Sequence, residues 1–444
     1  MLNKVKNAFF TSFLHQNKTS LVHLNLFVQK ILCTFAIEMN EHKIINDPVF
    51  GFIKIPRGLL YDIVKHPLMQ RLSRIKQLGM ASVVYPGAQH TRFLHSLGAY
   101  HLMSEAITSL RQKGIFIFES EAEAVQAAIL MHDIGHGPFS HVLERTLTSG
   151  ISHEEISLMM MEQMNREMDG RLTLALKIFK DEYHQRFLHQ LISSQLDMDR
   201  IDYLCRDSFV TGVNEGNIGS SRIIKMMNVV DDHLVVEEKG IYSVENYLVA
   251  RRLMYWQVYL HKTTVACEKL LVNTLLRAKH LANEGTELYA PPALHYFIHN
   301  YVDRQTFLSD PKALYWYEQL DDNDIWTTVK VWKDHPDRIL SMLAGDLLSR
   351  QLFRVEISEE PFTEEYVESI KAEIMKHTGV SREDTKFLMH TDSIKKAMYD
   401  VHDDHIDILY KDGTLKEVID ASEILHMTHP AKDISKYYLC YKRF

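Results

Sequence analysis

Apolar residues recur along most of this chain at helical spacing. Between residues 92 and 113, Phe93, Leu94, Leu97, Leu102, Met103, Ile107 and Leu110 form a stripe that suits a helix better than an alternating strand. The same texture predicts helices over 59–64, 121–133, 152–164, 186–207 and 245–279, the last without proline or glycine. Ser152 and Glu155 stand three apart, as in a capping box. Alternation is scarcer. Residues 49–55, closed by Pro56, read as a short strand or hairpin, and 229–242 as a hairpin on the helical body. Beyond about residue 285 helices continue at 292–301 and 337–350. Strand-like runs join them at 352–357, 405–410, 415–419 and 437–441, with Lys411-Asp412-Gly413 as a hairpin turn. The pattern predicts a mainly α protein, with a helical core over 39–284 and a smaller α+β C-terminal lobe over 285–444. Residues 1–38 read as an amphipathic extension. Either Met39 is the natural start, or 1–38 is a helix that docks on a partner subunit.

Composition narrows the function classes. The 444 residues are 46% hydrophobic and 24% charged, so a large buried core is available. The formal net charge of -8 argues against nucleic acid as the main partner. Four cysteines (Cys33, Cys205, Cys267 and Cys440) are scattered without a CxxC pair, which suits a reducing compartment and excludes a zinc ribbon. The best apolar run, 21–37, is broken by His23, Asn25, Gln29 and Lys30 and is poor for a membrane span. A cytoplasmic protein is expected, with no membrane partner.

One stretch concentrates the chemistry. Residues 127–131 are apolar and helical. They deliver His132 and Asp133 side by side, and Gly135, Gly137 and Pro138 then break the helix. His136 and His141 lie within and just beyond the break. Imidazole and carboxylate are ligands for a divalent transition metal, although a lone His-Asp pair reads equally as a helix cap and a turn. Three helical stripes add to it. Arg92 and His95 share a face. Asp199, Tyr203 and Asp207 recur at i, i+4 and i+8. Arg251, Tyr255, Tyr259 and Lys262 form a cationic and aromatic line suited to phosphates, sugar or base. Any one stripe taken alone also fits a solvated helix face.

The strings I-K-Q-L-G (75–79), Y-P-G-A-Q-H-T-R-F-L-H-S-L-G (85–98), H-D-I-G-H-G-P-F-S-H (132–141) and D-R-I-D-Y-L-C-R-D (199–207) together resemble the HD-domain deoxynucleoside triphosphate triphosphohydrolases. The resemblance spans about 45–280 and leaves 1–38 uncovered. It implies a helical HD-domain core in which His95, His132, Asp133 and Asp199 bind one divalent transition metal ion (Mn, Fe, Ni, Co or Zn), with Mg on the substrate phosphates. It places Arg92 and Arg200 at the triphosphate, and His136, His141 and His153 around the α-phosphate, with His153 an acid or base held by Glu144. Tyr203, Asp207 and Arg251 would contact sugar and phosphates. Gln77 and Leu78 would meet the sugar edge, and Tyr259 would pack where a ribose 2′-hydroxyl would go. Tyr255 and Lys262 complete the expected substrate wall. The family often carries Lys where this chain has Arg200, commonly Asp at Glu144, and in one member His at Tyr255.

The resemblance implies hydrolysis at the α-phosphorus of dNTPs, dGTP among them, to deoxynucleoside and triphosphate, in a homo-oligomer (dimer or tetramer). The alternatives are another HD-type nucleotide phosphatase or phosphodiesterase, or a slow-turnover nucleotide-binding assembly protein.

Overall fold

The computed structural model describes residues 42–396, 405–428 and 434–444. The expected extension over 1–38, with Met39, lies outside the described residues. The chain opens on a hairpin of β1 (His42–Asp47) and β2 (Gly51–Pro56), paired from His42↔Pro56 to Asp47↔Gly51. Asp47 makes the turn by accepting the backbone N–H groups of Val49 and Phe50. The principal helices of the core follow: α1 (Arg92–Gln112), α2 (Glu119–Met131), α3 (Ser140–Thr146), α4 (His153–Glu167) and α5 (Met198–Thr211). Helix α1 lies between α2 and α5, so the ends that carry His95, His132 and Asp199 share one neighbourhood. The expected Ser152/Glu155 capping box is present at the start of α4.

Two expected helices are interrupted. The segment 186–207 is a short helix, Arg186–Gln190, then a loop, then α5. Asp197 causes the break by capping α5: one carboxylate oxygen accepts from Arg200 N–H at 2.7 Å, and the other from Ser194 N–H at 2.8 Å. The segment 245–279 is not one helix either. Helix α6 (Ile241–Met254) runs into a π-helical turn, Tyr255–Tyr259, and α7 (Lys262–Asn283) begins afresh with the His261 side chain as its cap. The extra residue per turn breaks the expected line from Arg251 to Lys262.

Two small sheets complete the fold. β3 (Met227–Val230) and β4 (His233–Glu237) form the expected hairpin, with Asp231 and Asp232 both at positive φ. It ends earlier than expected, because Ile241 already starts α6. β4 then pairs in parallel with a strand from the far end of the chain. Of the helices α8 (Pro292–His299), α9 (Pro311–Tyr317), α10 (Asp322–Trp332) and α11 (Arg338–Leu348), α8 and α11 pack on α7, α9 packs on α8, and α10 packs on α8 and α11. β5 (Arg354–Ser358), β6 (Met389–Lys396) and β9 (Ile434–Tyr441) make an antiparallel sheet in the order β5-β9-β6, flanked by α12 (Glu364–Thr378). β7 (Asp407–Leu409) and β8 (Leu415–Glu417) extend the other sheet to β3-β4-β7-β8, with Gly413 at φ +87° in their turn. That sheet therefore takes two strands from each side of residue 284. No helix among the described residues is long and apolar enough to cross a membrane.

Candidate metal centre and nucleotide pocket

Four of the expected side chains meet at the core of α1, α2 and α5. His95 Nε2 lies 3.2 Å from His132 Nε2 and 3.0 Å from Asp199 Oδ1, and His132 Nε2 lies 3.4 Å from the same Asp199 oxygen. Asp133 stands at the rim, 3.5 Å from His132 Nε2 and 3.7 Å from His95 Nε2. Donors about 2.1 Å from one transition-metal ion sit roughly 3.0–3.4 Å from each other, so this donor set fits a single divalent cation.

Both imidazoles are turned by their other nitrogen. His132 Nδ1–H donates to Ile129 O at 2.7 Å, and His95 Nδ1–H donates to Asp202 Oδ2 at 2.7 Å. Each Nε2 is thereby presented to the centre, in the manner of oriented metal ligands. The electrostatics agree. Burial would lower the His95 pKa, yet hydrogen bonds to Asp199 and Asp202 raise it to about 10. Burial would raise the Asp133 carboxyl, but His136, His132 and Arg92 hold it well below the usual range. Clustered carboxylates that draw protons this strongly suit a cation.

A buried charge network backs His95. Arg206 grips both oxygens of Asp202, at 3.0 and 2.9 Å, and reaches Asp47 Oδ2 at 2.7 Å. All three side chains are fully buried. Gly98, one turn beyond His95, makes room: a Cβ there would lie 1.8 Å from Asp202 Oδ1. Asp47, Asp202, Arg206 and Gly98 were not among the expected site residues. Asp202, Arg206 and Gly98 did lie inside the quoted motifs, which was the only sequence signal.

The turn after His132 is clamped from three sides. Ser157 Oγ accepts Gly135 N–H at 2.9 Å and donates to His132 O at 2.9 Å. Tyr317 O–H donates to Gly135 O at 2.9 Å. The buried Arg71 donates to His136 O at 2.9 Å, to Ile134 O at 3.3 Å and to Leu320 O at 2.8 Å. A Cβ on Gly135 would sit 2.2 Å from Ser157 N, so only glycine fits.

The clamp aims a second group of side chains. His136 Nε2 lies 3.1 Å from Asp133 Oδ1, and its ring stacks on His153 with centroids 3.9 Å apart. Burial, reinforced by Arg92, pushes the His136 pKa down to about 3. His136 is therefore a neutral donor at physiological pH. His153 Nδ1–H donates to Glu144 Oε1 at 2.9 Å. Arg92 donates to Asp133 Oδ2 at 2.6 Å. The side chain of His141 lies outside the described residues.

The expected substrate residues form a wall on α5, α6 and the π turn. Arg200 pairs with Asp197, whose carboxyl burial raises to about 6 against the pull of Arg200. Arg251 donates to Gln195 Oε1 at 3.0 Å. Tyr203 and Tyr255 each meet Tyr259 edge-on, with centroids 6.1 and 5.3 Å apart. Tyr259 O–H donates to Asp207 Oδ2 at 2.9 Å, while Asp207 Oδ1 holds His90 Nε2 at 2.8 Å. His90 and Gln195 were missed by the sequence reading, although His90 sits inside the Q-H-T-R string. Across the loop Gln77 N–H donates to His90 O at 3.1 Å, and Leu78 packs half-buried on the core. Gln77 Oε1, His90 Nδ1 and Arg92 Nε are buried without a hydrogen-bond partner. Three such orphans on the two bridged segments around Gln77 and His90 to Arg92 mark a place where a polar ligand would complete the bonding. Lys262 departs from the expected wall. Beyond the π turn it lines a separate cavity of about 580 Å³ with Arg350, Arg354 and Arg443, and none of the other expected site residues lines that cavity.

Comparison with known proteins agrees with this geometry. Residues 92–207 match the HD domain family, and residues 218–288 match the HD associated region. The crystal structure of a phosphohydrolase from Bacteroides thetaiotaomicron VPI-5482 is 64% identical with a TM-score of 0.89, over 91% of this chain and 100% of that one. The uncharacterized protein YwfO of Bacillus subtilis (strain 168) is 32% identical over 87% of this chain and 89% of its own length. Human deoxynucleoside triphosphate triphosphohydrolase SAMHD1 is 29% identical over 57% of this chain, which spans only 46% of that protein.

Proposed function

Because the chain belongs to the HD-domain dNTP triphosphohydrolase-like family of phosphohydrolases, we propose that it hydrolyses deoxynucleoside triphosphates, dGTP among them, to deoxynucleoside and inorganic triphosphate. One observation carries the reading. A His-His-Asp donor set with Asp133 at its rim lies beside Arg92 and Arg200, next to the Tyr203 and Arg251 side chains, and close to a His–Glu pair. A metal alone would serve many hydrolyses; the cationic and aromatic wall is what a nucleoside triphosphate needs.

His95, His132, Asp199 and Asp133 would hold one divalent transition metal ion. Such an ion supplies Lewis-acid polarisation of a phosphoryl oxygen and a more acidic water. The chain's own groups do the rest. Arg92, Arg200 and Arg251 balance the triphosphate charge. His136, neutral, donates a hydrogen bond without adding charge. Glu144, accepting from His153 Nδ1–H, favours the doubly protonated ring, whose Nε2–H passes its proton to the departing 5′-oxygen while the water that adds at the α-phosphorus releases one to solvent. Asp207 pins the Tyr259 ring, which closes the space beside a 2′-carbon and disfavours ribose. The relative named for dNTP triphosphohydrolysis and the orphaned Gln77 and His90 atoms support this reading.

The test is an ion-exchange product assay with each of the four dNTPs and Mn²⁺, beside an Asp133→Ala control. Triphosphate plus deoxynucleoside, absent in the control, is the expected result. Orthophosphate or pyrophosphate instead would assign the chain to another HD-type phosphohydrolase. The same proposal includes a homo-oligomer, dimer or tetramer, which light scattering with and without dNTPs checks. A nucleotide-insensitive monomer would count against it.

A further inference from the structure

The geometry points to a second divalent-metal site, on the surface of α8 and sharing no residue with the centre above. His295 and His299 stand four apart on α8, with stacked rings whose centroids are 4.2 Å apart. Glu287, from the loop before the helix, brings a carboxylate oxygen 2.8 Å from His295 Nε2. One donor atom from each of the three residues lies within 4.8 Å of the others. Two imidazoles at i and i+4 plus one carboxylate are a donor set for Zn²⁺ or a similar ion, with water at the remaining position. The His299 Nε2 atom is buried and has no hydrogen-bond partner among the described residues, while its neighbour His295 is paired with Glu287.

The parts are held in place before any ion arrives. Leu294, Phe297 and Ile298 are buried, which fixes the roll of α8 and turns the histidine face outward. Pro292 starts the helix, so its backbone is set from the first residue. The loop is anchored beside Glu287: Leu288 is 1% exposed, and Trp332 Nε1–H donates to Tyr289 O at 2.9 Å. A bound ion would therefore tie this loop to α8 with little rearrangement.

The full chain, stripped with a chelator and dialysed against micromolar Zn²⁺, should retain one more equivalent of zinc than the His295→Ala/His299→Ala variant, counted by mass spectrometry. That variant should release product from dNTPs at the wild-type rate. Glu287→Gln, a change at an exposed side chain, should weaken zinc retention and leave the melting temperature of the metal-free chain unchanged. Equal zinc content in wild type and double variant overturns the proposal. So does a loss of zinc that is matched by a loss of activity, since that metal would belong to the His95 centre.

Discussion

His95 shows how far a single side chain depends on others. Its ring is aimed by Asp202, Asp202 by Arg206, and Arg206 also by Asp47 on the first hairpin. Asp202→Asn keeps the shape but weakens the acceptor. Metal affinity should fall roughly 10–100-fold, read by competition with a chelator, while the fold survives on the Arg206–Asp47 pair. Unchanged affinity would remove Asp202 from any positioning role. On the proposed role of His153 as proton donor, His153→Ala should slow triphosphate release about 10²–10⁴-fold with metal content unchanged. His132 and Asp133 were offered as candidate ligands by the helix break that follows them, His95 and Asp199 only by the resemblance of the strings around them, and the structure brings the four side chains together. Asp47 was not legible: its partner lies 159 positions away, and nothing local distinguishes it from any turn aspartate.

At the scale of elements, the helix-breaking turn after α2 matters more than any helix. The sequence announced it through Gly135, Gly137 and Pro138, but not the reason for the glycines. Gly135 packs its Cα against the first turn of α4, where a side chain would meet Ser157 N and His153 O at 2.2 and 2.3 Å. Gly135→Ala should cost about 3 kcal/mol or more and reduce metal retention, measured by denaturant midpoint and metal content together. A neutral result would mean the turn tolerates displacement. The π turn at Tyr255–Tyr259 was invisible beforehand. Apolar periodicity over 245–279 runs on without a breaker, and a single widened turn leaves no mark in composition. Its effect is positional: it places Tyr259 on Asp207 and leaves Lys262 on a different cavity.

The molecule as a whole is knit more tightly than its sequence texture suggests. The change near residue 285 from helical to mixed texture is real, yet β4 pairs with β7 across it, and α9 sends Tyr317 into the turn after His132. Long-range pairings of that kind are set by packing and leave no local pattern. The junction also carries a pH signature. Burial raises the Glu318 carboxyl to about 6, and its Oε1 has no partner. Its folded value thus lies above its unfolded one. The native state then binds the extra proton between about pH 4.5 and 6, stability falls as pH rises through that window, and the cost is complete above it. Glu318→Gln should raise the melting temperature at pH 8 and leave it unchanged near pH 4; an equal gain at both pH values would exclude Glu318 as the source.

Arg71 has a consequence for how such chains can be recombined. Its guanidinium bonds at once to the turn after His132 and to Leu320 beyond the junction, and it lies wholly inside the protein. A gene spliced at residue 284 to a lobe of different shape would inherit the cation without that carbonyl, and β4 without its neighbour. Such hybrids should be lost as insoluble product before any question of catalysis arises, so lineages of this fold should exchange these two halves together or not at all.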